Sequence, residues 1–247
     1  MKQTEPKEGL LYYLGMEIHL KQNGIMVTQQ KHTNKVLNRY GFNEAYPVKT
    51  PIEPGMLTEK HTNDEPLKNK HYREVIGSLL YLSTISRPDI SFTINYLSRQ
   101  VNNQKISHWK MIERVLRYLK GTTNFGIHFG NEAKLKAYAD SNYSGTEPDM
   151  ISTSGILVYY SGPIVWMAQK QSVVSISSAE AEYRSAASCK QEVCWIRRIM
   201  QELGITIKEP TKLFIDNKAA IHMLENADEG KITKAKKHIE IQCGSHG

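Results

Sequence analysis

Three acidic residues stand in settings that suit metal-assisted hydrolysis of a phosphodiester: Asp140 in YADSNY, Glu180 in SSAEAEY and Asp216 ending KLFID. The first and last lie in strand-like segments and the middle one opens a helix, so three separate elements must converge to gather them. The chemistry needs cations that neutralise non-bridging oxygens, activate a water and stabilise the leaving oxygen, which paired magnesium ions roughly 3.5 to 4 Å apart supply. Magnesium takes hard oxygen ligands and keeps several waters, so a few carboxylates suffice.

Each carboxylate also has a purely structural explanation. ADSNYSG is rich in turn formers, so Asp140 could begin a turn. Glu180 follows Ser177 at capping-box spacing. Asp216 precedes Asn217, Lys218 and two alanines, where an Asp caps a helix well. Their joint order favours the chemical reading, as does the hairpin GILVYYSGPIVWMAQKQ, turning at Gly162 and Pro163 between the first two. Glu182 is set aside as a ligand, because two residues along a helix is about 200° of rotation and it should face away from Glu180.

The elements that must position these groups are legible as hydrophobic periodicity. LKAYAD and KLFID alternate as strands, and between them Val193, Ile196, Met200 and Leu203 mark one face of a long helix that Gly204 ends. Upstream, Tyr12 to Leu20 and Ile25 to Gln29 read as a strand pair around Asn23-Gly24. Val36, Leu37 and Tyr40 share a helix face before Gly41. Pro47 to Pro66 is polar and holds four of the nine prolines, an extended connector. Two further helices carry Val75, Ile76, Leu79 and Leu80, and Trp109, Ile112, Val115, Leu116 and Leu119, the second capped by Ser107 and closed by Gly121. Trp109 and Tyr118 are read as core aromatics, and Asp89 of Arg87-Pro88-Asp89 as a first-turn charge favouring the helix dipole.

Charge divides the 247 residues unevenly. Through Gly130 there are 18 Lys and Arg against 11 Asp and Glu, a net of +7, and from Asn131 onward 14 balance 14. A basic first half suits a nucleic-acid backbone, although a mildly basic surface also serves solubility. MKQTEPKEG lacks the apolar core of a signal peptide, and no apolar run reaches spanning length. Cys189, Cys194 and Cys243 cannot all pair, and their sparsity suits a reducing compartment. His238, Cys243 and His246 match no familiar zinc spacing.

Many segments in one order give the chain its family resemblance: YYLGMEI, GIMVTQQKH, YREVIGSLLYLSTISRPDISF, SHWKMIERVLRYLKGT, YADSNYSG, STSG, QSVVSISSAEAEYRSAA, FIDNKAAIHMLEN and KHIEI. The sequence resembles copia-type retrotransposon Pol polyproteins, from the reverse transcriptase thumb through the connection into ribonuclease H. That resemblance implies an α/β fold: a ribonuclease H-like mixed sheet of strand order 3-2-1-4-5 over residues 131–247, preceded by a mainly α-helical thumb and connection lobe with a short β-hairpin over residues 1–130. It implies Asp140, Glu180 and Asp216 as catalytic ligands of a magnesium pair, with manganese an alternative, cleaving the RNA strand of an RNA/DNA hybrid to leave a 5′-phosphate and a 3′-hydroxyl. Ser141, Asn142, Ser177 and Asn217 are candidates for contacts to substrate 2′-hydroxyls.

The resemblance implies an upstream polymerase part as polyprotein partner, no membrane association, and a cytoplasmic particle or the nucleus as location. The chain has no Asp-Asp pair and is not expected to polymerise DNA alone. Its likeness to the family stops at KHIEI, before a last strand and a fourth metal-binding Asp, and Glu240 is not read as a substitute. Weak or absent cleavage and an open edge at Leu213 to Asp216 are therefore expected, with a non-catalytic nucleic-acid-binding remnant as the alternative. An integrase-like core would want its Glu after both Asp, whereas Glu180 lies between them.

Overall fold

Two separate sheets organise the chain, one in each of two units, Met1–Phe129 and Gly130–Gly247. The computed structural model describes residues 9–53, 55–57, 65–67, 71–143, 151–227, 238–241 and 243. His246, considered above for zinc, lies outside them.

In the first unit four antiparallel strands run in order β1 (Leu10–Tyr13), β2 (Met16–Lys21), β3 (Gly24–Thr28) and β4 (Gly126–Phe129). The stretch expected as one strand from Tyr12 to Leu20 is two. Leu14 and Gly15 both take positive φ, 46° and 77°, and make the tight reversal that pairs Tyr13 with Met16. Helices α1 (Gln30–Arg39), α2 (Tyr72–Ile85), α3 (Ser91–Arg99) and α4 (Ile106–Gly121) share a core of Leu37, Tyr72, Leu79, Leu82, Ile94, Ile112, Leu116 and Leu119. Trp109 packs against that core and Tyr118 is buried within it. Helix α4 begins after Lys105 rather than Ser107, and the Lys105 amide donates to His108 Nδ1 at 3.2 Å.

Among the described residues of this unit, Glu17 and Arg87 are buried charged groups. Glu17 accepts from Thr28 Oγ1 at 3.2 Å and from the Lys31 amide in the first turn of α1 at 2.8 Å. Arg87 is 1% exposed and uses all three nitrogens. Its Nε and Nη2 grip the Asp89 carboxylate, while Nη1 and Nη2 reach the Thr122 carbonyl and hydroxyl at 2.9 and 2.7 Å. Tyr118 also donates to Asp89, at 2.8 Å. Asp89 therefore does more than favour a dipole: it neutralises an arginine that ties the turn at Pro88–Ile90 to the end of α4.

The second unit has a five-stranded mixed sheet in order β7 (Pro163–Lys170), β6 (Thr153–Tyr159), β5 (Lys136–Asn142), β8 (Thr211–Phe214) and β9 (His238–Ile241). β5 and β8 are parallel and the remaining neighbours antiparallel. β6 and β7 form the expected hairpin, with Tyr159 opposite Pro163. One expectation is corrected: β8 is not an open edge. Thr211 to Phe214 pairs antiparallel with Ile241 to His238, so backbone groups that would template aggregation have partners. The period-two isoleucines of HIEI were the available strand signal.

Helix α5 (Ser178–Glu202) crosses β5 and β6, and α6 (Lys218–Ala227) packs beside it. Small residues Ala181, Ser185, Ala186 and Cys189 let α5 lie close to the sheet, and the Ser185 hydroxyl donates to the Asp140 carbonyl at 2.7 Å. Ala137, Ala139, Leu213 and Ile215 fill the core against Val193, Ile196 and Met200. Leu203, expected on this face, is the C-cap and exposed, and Gly204 follows it at φ +78°. Cys194 of α5 forms a disulfide with Cys243, and Cys189 is free and buried.

Candidate metal centre

The strand of Asp140, the start of α5 and the loop after β8 meet at one end of the second sheet. Oxygens of Asp140, Glu182 and Asp216 lie within 4.8 Å of one another there, and the three together can hold a metal ion. The two aspartates are exposed and Glu182 is buried, at 5% exposure. Glu182 Oε1 accepts from the Ser141 amide and hydroxyl, both at 3.0 Å. Its Oε2 is buried with no hydrogen-bond partner in the protein. Burial pushes the Glu182 carboxyl up to about 7, opposed by the two bonds from Ser141 and reinforced by the charges of Asp140 and Asp216.

Glu180 does not join this cluster, which corrects the expected ligand set. Its Oε2 accepts from the Ile176 amide at 2.9 Å, and its Oε1 accepts from Arg184 at 2.7 Å, which together hold its carboxyl below the usual range. The Ser177 hydroxyl accepts from the Glu180 amide at 3.1 Å, so Ser177 and Glu180 complete the start of α5. Two residues along a helix are about 200° apart, so one of the two glutamates must face away, and in this structure it is Glu180. Glu182 precedes Val193 by eleven residues, about 20° around the helix, whereas Glu180 precedes it by thirteen, about 220°. The stripe already visible in Val193, Ile196 and Met200 thus points Glu182, not Glu180, at the sheet.

The cap expected of Asp216 belongs to its neighbour. Asn217 Oδ1 accepts from the Ala219 and Ala220 amides at 2.9 and 3.1 Å, which leaves the Asp216 carboxylate to the cluster. Among the residues expected to meet 2′-hydroxyls, Ser177 and Asn217 are engaged in helix caps and Ser141 in orienting Glu182, while Asn142 is exposed at the end of β5.

The chain is 37% identical over 222 residues to a retrovirus-related Pol polyprotein from transposon RE2 of Arabidopsis thaliana, covering 89% of this chain and 15% of that protein. It is 31% identical over 252 residues to the Pol polyprotein from transposon TNT 1-94 of Nicotiana tabacum, covering 98% of this chain and 18% of the relative. The chain belongs to the retrovirus-related Pol polyproteins of transposons. It spans less than a fifth of those Pol polyproteins' length. An uncharacterized mitochondrial protein of Arabidopsis thaliana is also similar, 32% identical over 74% of this chain and 77% of its own length. No protein-family model matches the chain. In this Pol fragment no helix among the described residues is long and apolar enough to cross a membrane.

Proposed function

We propose that residues 131–247 form a ribonuclease H-like domain whose Asp140, Glu182 and Asp216 bind divalent metal for hydrolysis of the RNA strand of an RNA/DNA hybrid, and that residues 1–130 are the thumb and connection part of the same polyprotein. The observation that carries this is the partnerless Oε2 of buried Glu182 beside two exposed aspartates. An unpaired buried carboxylate oxygen is costly, and a cation shared with Asp140 and Asp216 would remove that cost.

The donor set fits the metal. Three carboxylates are hard oxygen ligands, which suit Mg2+ or Mn2+ and not a thiophilic ion. When bound, such ions supply an activated water and offset charge on the scissile phosphate. Ser141 fixes the Glu182 carboxylate through Oε1 and leaves Oε2 without a protein partner. Asp140 is anchored by the ladder of β5 and by the Ser185 bond to its carbonyl. Asp216 is positioned by the parallel pairing of β8 to β5 and by the Asn217 cap that starts α6 beside it. The sheet order, with β5 and β8 adjacent at its centre and α5 across them, supports the same reading. The basic excess of residues 1–130 supports a nucleic-acid partner.

The cluster holds three carboxylates among the described residues, so slow turnover is expected. The test is cleavage of a labelled RNA/DNA hybrid in Mg2+ or Mn2+. Slow cutting of the RNA strand, lost in Asp140→Asn and in Glu182→Gln but kept in Glu180→Gln, is the expected result. Binding of the hybrid with no cutting in either metal would instead assign the chain the non-catalytic binding role.

A further inference from the structure

The face of the second sheet opposite α5 carries a pattern that extends beyond the metal centre. On β5, Lys136, Tyr138 and Asp140 alternate with buried Ala137 and Ala139. Beyond it, Lys212, Phe214 and Asp216 alternate with buried Leu213 and Ile215. The parallel register sets Lys136 against Lys212 and Tyr138 against Phe214, and the two rings stack with centroids 5.1 Å apart and planes 18° from parallel. Asp140 and Asp216 complete the series at the metal cluster. Two neighbouring strands thus repeat the order cation, aromatic, carboxylate, with successive rows about 6.6 Å apart. The aromatic row continues through Leu157 to Trp166 by cross-strand pairing.

An amphipathic protein helix would call for a continuous apolar stripe, but on β5 and β8 Tyr138 and Phe214 are each flanked along the strand by charge on the same face. A polymer that alternates charge with flat rings matches this order. Lys212 is exposed, with Glu240 opposite it in the β8–β9 register, and among the described residues Lys136 is held by an exposed pair with Glu132; exposed pairs are weak, so both lysines can meet phosphates. Tyr138 is 40% exposed, and aromatic side chains bind unpaired bases with little regard to sequence. We infer that this face is a binding track for single-stranded nucleic acid, with Tyr138 and Phe214 contacting an unpaired base, Lys136 and Lys212 a phosphate, and the strand running on to the carboxylates. The inference rests on the proposed metal reading at its carboxylate end alone.

The test is fluorescence anisotropy of a labelled single-stranded RNA 12-mer with the full chain in Ca2+, across a salt series. Tyr138→Ala should weaken binding about tenfold or more, and Tyr138→Phe should restore it. Lys212→Gln should reduce the salt slope by about 0.7, one phosphate contact, whereas Lys208→Gln, another exposed lysine outside the track, should not. Unchanged affinity in Tyr138→Ala, or equal slopes for Lys212→Gln and Lys208→Gln, would overturn the inference. Should Tyr138→Ala fail to fold, the exposed Lys212 comparison decides alone. Affinity insensitive to all these changes would also overturn it. Mn2+ binding to the same proteins separates the two readings. Tight Mn2+ binding with indifferent RNA affinity removes the track and keeps the metal centre, while absent Mn2+ binding with the expected RNA losses does the reverse.

Discussion

Arg87 in the first unit and Glu182 in the second are both buried charged side chains, treated in opposite ways. In the first, every nitrogen of Arg87 has a partner in Asp89 or Thr122. In the second, Glu182 is fixed at one oxygen by Ser141, bare at the other, and set beside two more carboxylates. A saturated buried ion locks a fold, whereas one left unsatisfied among like charges calls for a ligand. Burial alone does not separate structural from functional charge, but the state of its bonding does.

The largest way to break this comparison is at the saturated ion. Arg87→Met should destabilise the first unit by about 3 kcal/mol or more, because Asp89 and the Thr122 groups lose their partner together. Thermal or urea unfolding would measure it, and a change below about 1 kcal/mol would mean that the network is dispensable. Next in size, Cys194→Ser removes a disulfide that closes 49 residues of sequence, worth about 2 to 4 kcal/mol. Its loss should lower the stability of the second unit and leave the Arg87 unit untouched, which amide exchange would resolve.

A comparable effect sharpens the contrast through pH. The Glu182 carboxyl sits at about 7 against an ordinary 4.5, so between those values the folded state holds its proton more tightly than the unfolded state does. Metal-free stability should therefore fall as pH rises from about 4.5 to about 7. Glu182→Gln should abolish that fall, and added Mn2+ should reverse it, because metal binding needs the ionised carboxylate. Pairwise denaturation curves at pH 5 and 7.5, with EDTA and with Mn2+, would show both. Smallest of all, Glu180→Gln should cost only a slight loss at the exposed start of α5, with no pH signature.

How far the sequence could be read follows the same physics. The strands of Asp140 and Asp216, the hairpin between β6 and β7 and the long α5 helix are periodic, and periodicity is local information. Telling Glu180 from Glu182 needs the phase of α5 relative to its buried stripe, which Val193, Ile196 and Met200 carry in the sequence. The pairing of β9 was harder to read. Four residues of alternating character state a preference, but a β8 partner is a long-range fact that no local window contains. The Arg87 network was equally remote, since Thr122 lies 35 residues away. Local capping signals were half legible: Ser177 and Glu180 form the cap their spacing suggested, while Asn217 took the role assigned to Asp216.

The central claim is that an unsatisfied Glu182, and not Glu180, completes a metal site with Asp140 and Asp216. Calorimetric titration of Mn2+ into the wild-type chain, Glu182→Gln and Glu180→Gln at pH 7.5 tests it most directly. The account predicts binding to the wild type, a loss of at least about tenfold in Glu182→Gln, and near-normal binding in Glu180→Gln. Normal binding in Glu182→Gln with loss in Glu180→Gln would contradict it.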